Sequence, residues 1–512
     1  MKIRWAHLAA LLVAAALAAC STSTEDLGAG PPLATAAGTP SSAATEDPMS
    51  LSLAVFNVEY GGTAATDAVL ADLDADVVGV LESYNRLPEI AAAADYPYYD
   101  VGLQILSKYP ILEPSGADGL YAYLEVRPGE AIAMINTHLD YVKDGPNRLQ
   151  RGVPVAKVLA DEQEIRLSSI DKLLPSATRL LDQGWPVLFT GDLNEPSHLD
   201  WTGQTADQHD GIGPVAWPVS EALVGAGLRD SYRVAHPDPR TDPGNTWGQV
   251  AGRGHSMPRR IDFAYVGGPI TVHDSQVVGE RGGEGVDRDY PRWTSDHRAV
   301  LSDLSVTPVP IPTTVALSSR MLTVGDTVTV TYRLPAAVDG RDDASGGRIT
   351  LTGPSTMSRD LSDAAGSERF GTRDLEPGSY QVDLVDADGQ VVASNELYVR
   401  PRDAQVSLTT DRSTYAVGDP ITVSWTDGPA NRWDWIGVYR AGAADPESDD
   451  YLVWAYTGGH DAGALPPTTD GELVLGRDQQ GRPWPLPRGR YVVRYLLTDQ
   501  YASAGSATFT VR

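Results

Sequence analysis

The chain has 512 residues, a formal net charge of −28 and one cysteine. Its length predicts about two to four domains, the lone cysteine excludes an intramolecular disulfide, and the negative charge disfavours tight nonspecific binding to nucleic acids because it repels polyanions. Nucleic acid is therefore not favoured as a partner. It stays possible, because metal ions bound at a site can reverse the charge locally.

The amino-terminal segment, residues 1–20, has the features of an export signal. Lys2 and Arg4 form a basic region, and the apolar run of residues 8–17 is too short for a comfortable membrane span. Small residues directly before Cys20 resemble a bacterial lipobox, which implies cleavage before Cys20 and attachment of lipid to it. An ordinary secretory signal with a stray cysteine is the alternative, and both interpretations predict export.

Residues 21–49 are rich in Ser, Thr, Ala, Gly and Pro without apolar periodicity, so we predict a flexible tether. Residues 50–306 then alternate strand-like and helix-like patterns. A strand, a helix and a second, buried strand follow one another over residues 51–82, and the second strand ends on Glu82. This order predicts an α/β sheet. Glu82 could cap the next helix or bind a cation.

Residues 131–139 form a further apolar strand that ends in polar residues, among them His138. A structural role for this histidine is the alternative to a functional one. Residues 153–181 have the spacing of a long helix with a break near Pro175. Arg148, before this helix, could contact an anionic substrate, although exposed arginines are common.

The segment 186–196 is an apolar run followed by closely spaced polar residues. Gly191 ends the run and lets the backbone turn, and Asp192 and Asn194 then lie two residues apart. Residues at i and i+2 of extended backbone point the same way, and the end of a strand in an α/β sheet is a usual place for a site. An Asp-Leu-Asn turn without function is the alternative.

Two strand-like segments complete this region. Residues 259–266 carry Asp262, and residues 294–301 place Asp296 and His297 before an apolar run. The polar residues that lie near strand ends are Asn57, Glu82, His138, Asp192, Asn194, Asp262, Asp296 and His297. Their oxygen donors suit Mg²⁺ or Mn²⁺, which would bridge a phosphate oxygen and stabilise developing charge. Zinc is disfavoured because no pair of histidines has short ligand spacing.

Short motifs occur in a fixed order over about 250 residues: Asn-Val-Glu, a strand ending in Glu, Asn-Thr-His-Leu, Gly-Asp-Leu-Asn, Arg-Ile-Asp-Phe and Ser-Asp-His. In this order they resemble the endonuclease/exonuclease/phosphatase superfamily. That superfamily includes deoxyribonuclease I-like nucleases, neutral sphingomyelinases and inositol polyphosphate phosphatases. The resemblance implies an α/β four-layer sandwich, with two packed mixed β-sheets flanked by helices.

The resemblance also implies the metal ligands. Glu82 corresponds to the principal ligand, helped by Asn57 and Asp296. Many members of the superfamily have Gln before this Glu, whereas this chain has Leu81. The Gln is not a ligand in the usual scheme, so the departure leaves the metal prediction in place.

The catalytic roles follow from motif positions in the same way. Asp192 and Asn194 would position or activate the attacking water. His297, oriented by Asp262, would act as acid/base or bind the phosphate, and His138 would stabilise the phosphoryl oxygens. Such a grouping is needed because a phosphoester transition state spreads negative charge over its oxygens.

Residues 197–247 are similar to a secreted or lipid-anchored bacterial subgroup of this superfamily. Trp201, Trp217 and Trp247 could line a substrate cleft, with packing in the core or a lid as the alternative.

The carboxy-terminal half lacks helical patterns. Residues 307–312 form a stiff, Pro-rich linker, and short alternating runs with turn signals then predict β-sandwiches. Val-Gly-Asp occurs at 324–326 and again at 417–419, and we predict two immunoglobulin-like sandwiches over 313–401 and 404–512.

A second match relates the segment around Tyr380 to that around Tyr491. The aromatic-rich residues 431–456 are similar to a domain found beside some inositol polyphosphate phosphatases that helps to target them to membranes. A ligand-binding role and a spacer role both remain open for this sandwich.

Together these patterns predict an exported, lipid-anchored, monomeric enzyme that uses Mg²⁺ or Mn²⁺ to hydrolyse a phosphodiester by in-line attack of water. The alternatives are a secreted nuclease, a phosphomonoesterase for substrates like inositol phosphates, and a surface adhesin or scaffold without activity. The complete set of acidic, amide and histidine residues disfavours the last.

Overall fold

The computed structural model describes residues 47–84, 86–248, 250, 257–338, 347–402, 405–429, 433–442, 451–457, 469–476, 484–497, 501 and 503–512. Cys20, the predicted signal segment and all but the last residues of the predicted tether lie outside these ranges. Among the described residues, no helix is both long and apolar enough to cross a bilayer.

The first part of the chain alternates strands and helices. Its strands are β1 (Met49–Asn57), β2 (Val77–Leu81), β3 (Tyr98–Asp100), β4 (Ile105–Ser107), β5 (Ile111–Leu112), β6 (Ala122–Arg127), β7 (Glu130–His138), β8 (Val187–Asp192), β9 (Arg229–Asp230), β10 (Asp262–Gly267), β11 (Ile270–Glu280), β12 (Arg288–Tyr290), β13 (Ala299–Val306) and β14 (Val309–Pro310). Its helices are α1 (Ala64–Leu73), α2 (Leu87–Ala93), α3 (Gly145–Gln150), α4 (Val155–Glu162), α5 (Ser168–Asp182), α6 (Pro218–Gly225) and α7 (Ser231–Ala235), with a 3₁₀ turn at Ala206–His209.

These strands form two mixed sheets. The first has the order β12-β11-β13-β1-β2-β4-β3, and the second has the order β5-β6-β7-β8-β10-β9 with β14 beside β7. Along β1, Leu53 and Val55 enter the core between the sheets, whereas Ala54 and Phe56 pack toward α1 and α2. Helices α5 and α6 cover the outer face of the second sheet. The predicted four-layer α/β sandwich is therefore confirmed.

The strand directions bring the polar strand ends together. In the first sheet β1 and β2 are parallel and β13 is antiparallel to β1. The second sheet repeats this arrangement, because β7 and β8 are parallel and β10 is antiparallel to β8. Two strands of each sheet therefore end at one edge and a third begins there, so residues that follow or precede these strands meet at that edge.

The two sheets approach closely near this edge, at Gly79 of β2. A Cβ atom added to Gly79 would lie 2.2 Å from Oγ1 of Thr190 and 2.6 Å from Oδ1 of Asn136, both in the second sheet. The Asn136 amide also donates across the layers to the carbonyl of Val80, at 3.1 Å. Only glycine fits this contact without displacing a neighbour.

The predicted break near Pro175 was wrong. Pro175 lies inside α5, which continues on both sides of it. The irregular turn lies earlier, at Gln163–Leu167, which is a π-helical turn between α4 and α5. There the Glu162 and Arg166 side chains form a fully buried ion pair of 2.6 Å. The π-helical turn thus lies at a buried ion pair, which depends on how the helices pack against the rest of the fold.

The remaining strands form two β-sandwiches. The first contains β15 (Thr314–Leu317), β16 (Met321–Thr323), β17 (Thr327–Arg333), β18 (Arg348–Thr352), β19 (Thr356–Asp360), β20 (Ala365–Gly371), β21 (Gly378–Val385) and β22 (Val391–Arg400), with the short helix α8 (Pro335–Val338) and a 3₁₀ turn at Thr372–Asp374. The second contains β23 (Ser407–Thr410), β24 (Thr414–Tyr415), β25 (Ile421–Thr426), β26 (Trp435–Arg440), β27 (Val453–Tyr456), β28 (Gly471–Leu475), β29 (Gly489–Leu496) and β30 (Ser503–Val511).

The two sandwiches have the same topology. Sheets β15-β17-β20 and β16-β22-β21-β18-β19 of the first correspond strand for strand to β23-β25-β28 and β24-β30-β29-β26-β27 of the second. The hydroxyls of Tyr380 and Tyr491 each donate to the carbonyl four residues earlier. The internal repeat predicted from sequence is confirmed by this correspondence.

The Pro-rich segment 307–312 is part of the fold rather than a free linker. It contains β14, which pairs with Ala131 and Glu130 of β7. The amide of Ile311 donates to the carbonyl of Gly129 at 2.8 Å. Proline lacks an N–H to donate, so it suits an edge strand of this kind. The sequence showed the prolines but not the strand that accepts this segment.

Candidate active site

One side of the site is a chain of hydrogen bonds between an amide and two carboxylates. The Nδ2 atom of Asn57 donates to Oε1 of Glu82 and to Oδ2 of Asp192, at 3.1 Å in each case. Its Oδ1 accepts from the backbone N–H of Glu59 at 3.0 Å. Asn57 ends β1, and Asp192 ends β8, so this chain joins the two sheets at their common edge.

Glu82 is held in a conformation that few residues adopt. It follows β2 with a φ of +57°, in the left-handed region, which costs roughly 1 kcal/mol or more for a residue other than glycine. The N–H of Gly61 donates to its carbonyl at 2.7 Å, and the N–H of Tyr60 donates to its Oε2 at 3.0 Å. These bonds turn the carboxylate away from the strand direction and into the site.

The other side is a buried pair, Asp262 and His297. Oδ2 of Asp262 lies 2.9 Å from Nδ1 of His297. The Nε2 atom of His297 lies 3.7 Å from Oδ2 of Asp192 and 3.8 Å from Oδ1 of Asp296. Burial opposes a charge on His297, but the three carboxylates outweigh it and raise the pKa of His297 to about 10. The imidazole is therefore a cation at neutral pH, with a proton on each nitrogen.

Asp192 lies between these two groups. Burial, together with the nearby Asp262 carboxylate, raises its pKa. The N–H of Asn194 donates to its Oδ1 at 2.9 Å, and Nε2 of His138 lies 3.5 Å from its Oδ2. Asn194 has a φ of +48°, and its amide nitrogen lies 3.2 Å from Nε2 of His138. Its raised pKa makes the Asp192 carboxylate a stronger base than an ordinary aspartate.

The structure thus brings together every strand-end residue selected from sequence. Contacts within the group join Asn57, Glu82, His138, Asp192, Asn194, Asp262, Asp296 and His297. The catalytic and ligand roles of the individual residues stay predictions.

Of the two residues predicted to contact substrate, Trp247 lies at the site and Arg148 is held in an ion pair. Trp247 lies at the site, where its Nε1 donates to Oδ2 of Asp296 at 3.2 Å and its ring stacks under the guanidinium of Arg259 at 4.3 Å. Arg148 lies in α3 and donates to Oδ2 of Asp161 at 2.7 Å, which places its charge in an ion pair.

Trp201 and Trp217 do not line a cleft. Both are almost fully buried, and their rings pack edge to face with centroids 5.2 Å apart. They belong to a small core that includes Leu149 and Val158, under α3 and α4.

The donor atoms fit a hard divalent cation. Among the described residues, ligand atoms of Asp192, Asp262 and His297 lie within 4.8 Å of one another. Asp262 and the protonated His297 pair with each other. The donors left for a cation are the carboxylates of Glu82 and Asp192, each 3.1 Å from the Asn57 amide, and the Asp296 carboxylate beside His297. Oxygen-rich sets of this kind suit Mg²⁺ or Mn²⁺.

Several residues that support the site were not selected from sequence. The Ser295 hydroxyl donates to the carbonyl of Asn57 at 2.7 Å and accepts from the N–H of His297 at 3.0 Å. Oε2 of Glu59 accepts from the N–H of Asp296 at 3.1 Å. The hydroxyl of Thr246 accepts from the N–H groups of Ile261 and Asp262. Ser295 and Glu59 lie within the Ser-Asp-His and Asn-Val-Glu motifs, so motif membership was the available signal.

The model of the Endonuclease/Exonuclease/phosphatase family matches residues 54–297. An uncharacterized protein of Caenorhabditis elegans is 30% identical over 280 residues, which are 48% of this chain and 86% of that protein.

Two solved structures are similar at low identity. An endonuclease/exonuclease/phosphatase from Beutenbergia cavernae is 19% identical, with a TM-score of 0.33, over 68% of this chain and 99% of that one. A mannosyl-6-phosphatase from Bacteroides thetaiotaomicron is 15% identical, with a TM-score of 0.31, over 50% of this chain and 99% of that one.

Proposed function

The chain belongs to the endonuclease/exonuclease/phosphatase family, whose members hydrolyse phosphoester bonds, and we propose that it is a metal-dependent phosphodiesterase. The observation that carries the proposal is the Asp262–His297 pair, which faces Asp192 from one side while Asn57 and Glu82 approach it from the other. A base, a cationic acid and a place for a metal ion are thereby within a few ångströms of one another.

A phosphodiester fits this site better than a phosphomonoester. A diester carries one negative charge at neutral pH, whereas a monoester carries nearly two. The site is rich in carboxylates. Arg259, which stacks on Trp247 at the site, already pairs with Asp144, and Arg148, the arginine predicted to contact substrate, pairs with Asp161. A terminal phosphate would therefore lack the bidentate arginine contacts that stabilise it elsewhere.

The metal would be Mg²⁺ or Mn²⁺, held by Glu82 with Asn57 and Asp296 and close to Asp192. When bound, it supplies positive charge to a phosphoryl oxygen as negative charge develops there. The neighbouring carboxylates share that positive charge, which lowers their mutual repulsion.

The chain's own residues move the protons. Asp192, with its raised pKa, accepts a proton from the water whose oxygen attacks phosphorus. The bond from phosphorus to the leaving oxygen breaks, and His297 gives that oxygen the proton on its Nε2. Asp262 keeps the Nδ1 proton in place and so fixes the ring orientation. His138, positioned by Asn194, contributes a second imidazole to the phosphoryl oxygens.

Hydrolysis of bis(p-nitrophenyl) phosphate by the purified chain tests the proposal. We expect activity with Mg²⁺ or Mn²⁺ that is abolished by EDTA, which removes the metal. Glu82→Gln, which removes a metal ligand, and His297→Ala, which removes the acid, should each abolish it as well. His273→Ala and Glu89→Gln are matched controls, since both side chains are exposed in elements away from the site.

Hydrolysis that persists in metal-free buffer in both site variants would refute the mechanism. A substrate panel distinguishes the alternatives. Faster turnover of p-nitrophenyl phosphate would indicate a monoesterase, and faster turnover of DNA would indicate a nuclease.

We also propose that the chain is exported and anchored to a bacterial membrane by lipid on Cys20, on the evidence of the lipobox-like residues before it. In a bacterial host, Cys20→Ser should move the chain from the membrane fraction to a soluble fraction. Equal membrane recovery of both forms would contradict the anchor.

A further inference from the structure

A fully buried ion pair contacts the two segments that follow β7 and β8. Glu162 is the last residue of α4, and Arg166 lies in the π-helical turn that follows this helix. Nη1 of Arg166 donates to Oε2 of Glu162 at 2.6 Å, and both side chains are closed to solvent. Burial of two charges is costly unless further polar contacts stabilise them. The other partners of Arg166 and Glu162 therefore indicate what the pair holds in place.

The first of these partners belongs to the segment after β7, the strand that ends at His138. Nη2 of Arg166 donates to the carbonyl oxygen of Val142 at 2.8 Å. The N–H of Val142 in turn donates to Oδ1 of the buried Asp140 at 2.8 Å. One arm of the guanidinium thus fixes the backbone four residues beyond the His138 imidazole, while the other arm binds Glu162.

The second partner belongs to the segment after β8, which carries Asn194. Burial, together with the neighbouring Glu162 carboxylate, raises the pKa of Glu195 well above its usual value, and the two side chains share a hydrogen bond. Glu195 is therefore protonated at neutral pH and donates to Glu162, whose charge the Arg166 guanidinium favours. Oε1 of Glu195 accepts from the N–H of Val219 in α6 at 2.8 Å. These contacts hold Glu195 inside the fold.

The two segments meet at the site itself. Asn194 directly precedes Glu195, and its Nδ2 donates to the carbonyl oxygen of Leu139 at 2.8 Å and lies 3.2 Å from Nε2 of His138. The distance between these two side chains depends on the backbones that carry them, and the ion pair is bound to both backbones. A misplacement of about 1 Å between groups in an active site can cost ~10²-fold in rate.

Resting on the proposed function, we propose that Arg166, Glu162 and Glu195 are positioning residues that clamp the segments after β7 and β8 together. The clamp holds His138 beside Asn194, where its imidazole can contact the phosphoryl oxygens. All three clamp residues are buried, so they act through His138 and Asn194 and not by contact with substrate. Arg166 lies within a π-helical turn, an irregularity that occurs frequently at functional sites.

Two substitutions of Glu195 test the clamp. Glu195→Gln keeps a neutral side chain that can donate to Glu162 and accept from Val219, so its kcat for bis(p-nitrophenyl) phosphate should stay within about twofold of the wild type. Glu195→Ala removes both contacts and should lower kcat by about 10- to 100-fold. Its KM should change by less than about threefold, because His138 acts on charge that develops in the transition state.

Substitutions of Arg166 test the other arm. Arg166→Met removes the contacts with Glu162 and Val142 and should lower kcat as Glu195→Ala does. Arg166→Lys keeps the charge but not the forked contact and should restore part of the loss. Leu173→Ala is the control for lost stability, because Leu173 is buried in the core under α5; it should lower Tm and keep the wild-type kcat.

NMR of the metal-free chain gives a measurement that does not depend on activity. The ring resonances of His138 should shift in Glu195→Ala and Arg166→Met and stay in place in Glu195→Gln and Leu173→Ala. If the Arg166 variants do not fold, the two Glu195 variants and Leu173→Ala decide the matter by themselves.

The outcomes separate the two proposals. If the wild-type chain hydrolyses no phosphodiester, the proposed function fails, and the NMR comparison still tests the clamp. If the wild type is active and Glu195→Ala keeps both its kcat and the His138 resonances, the phosphodiesterase stands and the clamp is overturned. Equal losses of kcat in Glu195→Gln and Glu195→Ala would also overturn it, because the neutral amide preserves the contacts on which the clamp depends.

Discussion

Replacing Asp262 with asparagine perturbs the site at its most buried charge. Asp262 is fully buried, and its Oδ2 lies 2.9 Å from Nδ1 of His297. Asparagine has nearly the same size, so Asp262→Asn removes the charge while keeping the packing. Its amide can also hold the imidazole in the other tautomer, which in a related arrangement of Ser, His and Asp costs about 10⁴-fold in kcat.

The size of the effect follows from the charges around His297. The usual pKa of a histidine is about 6.5, and the carboxylates of Asp262, Asp192 and Asp296 raise the pKa of His297 to about 10 against the cost of burial. This difference stabilises the imidazolium by about 5 kcal/mol. Asp262 is the nearest of the three carboxylates, at 2.9 Å against 3.7 and 3.8 Å, so we assign it the largest share.

We therefore expect Asp262→Asn to lower the pKa of His297 by about 1–3 pH units and kcat by about 10²- to 10⁴-fold. NMR titration of the histidine rings in the metal-free chain measures the first quantity. Hydrolysis of bis(p-nitrophenyl) phosphate with Mg²⁺ measures the second. Asp303→Asn is the control, because Asp303 is exposed on β13.

Stability gives an independent check. A raised pKa in the folded state means that the pair stabilises the fold fully below about pH 6.5 and loses this contribution as the pH rises through about 10. The difference in Tm between the wild type and Asp262→Asn should therefore shrink across this window. An unchanged His297 pKa, or kcat within about threefold of the wild type, would refute the reasoning.

Substitutions at three further positions test separate features. Asn194→Ala and Asn194→Gly should lose activity equally, because both lack the amide near His138. Only the alanine variant should also lose about 1 kcal/mol of stability, because Asn194 has a φ of +48°. Unequal activities would contradict the role of the Asn194 amide in positioning His138. Gly79→Ala should lower the unfolding free energy by about 1–3 kcal/mol, seen as a lower Tm, because its Cβ would lie 2.2 Å from Oγ1 of Thr190; an unchanged Tm would show that the sheets can separate there. Burial raises the pKa of Asp140 to about 6, so its charge costs up to about 3 kcal/mol of folding free energy above that pH and little below pH 4. The Tm of Asp140→Asn relative to the wild type should therefore be higher at pH 8 than at pH 4. The opposite order would refute the raised pKa of Asp140.

The sequence by itself indicated an α/β sheet and marked the polar strand-end residues that the structure groups together. Apolar runs that end in polar residues mark buried strands and their ends, and this information is local, since it depends on residues next to one another. Asp192 and Asn194 follow the run of β8, and Asp296 and His297 precede the run of β13. The repeat of Val-Gly-Asp and of the tyrosines likewise predicts two similar sandwiches.

The tertiary structure decided which of these groups meet. Asn57 bridges Glu82 and Asp192 because the β1–β2 and β7–β8 pairs end at one edge, and no local pattern specifies how two sheets are stacked. Arg148 is an exposed cation in the sequence pattern but an ion-paired one in the fold, with Asp161.

Contacts between distant segments also explain the structural features that the sequence did not predict. Residues 307–312 pair with β7, the helical irregularity lies at a buried ion pair rather than at Pro175, and Trp433 reaches His138 from a separate sandwich. Each depends on a contact between segments far apart in the chain. Local side-chain patterns fix what a segment can form, whereas these contacts depend on the packing of whole layers and domains.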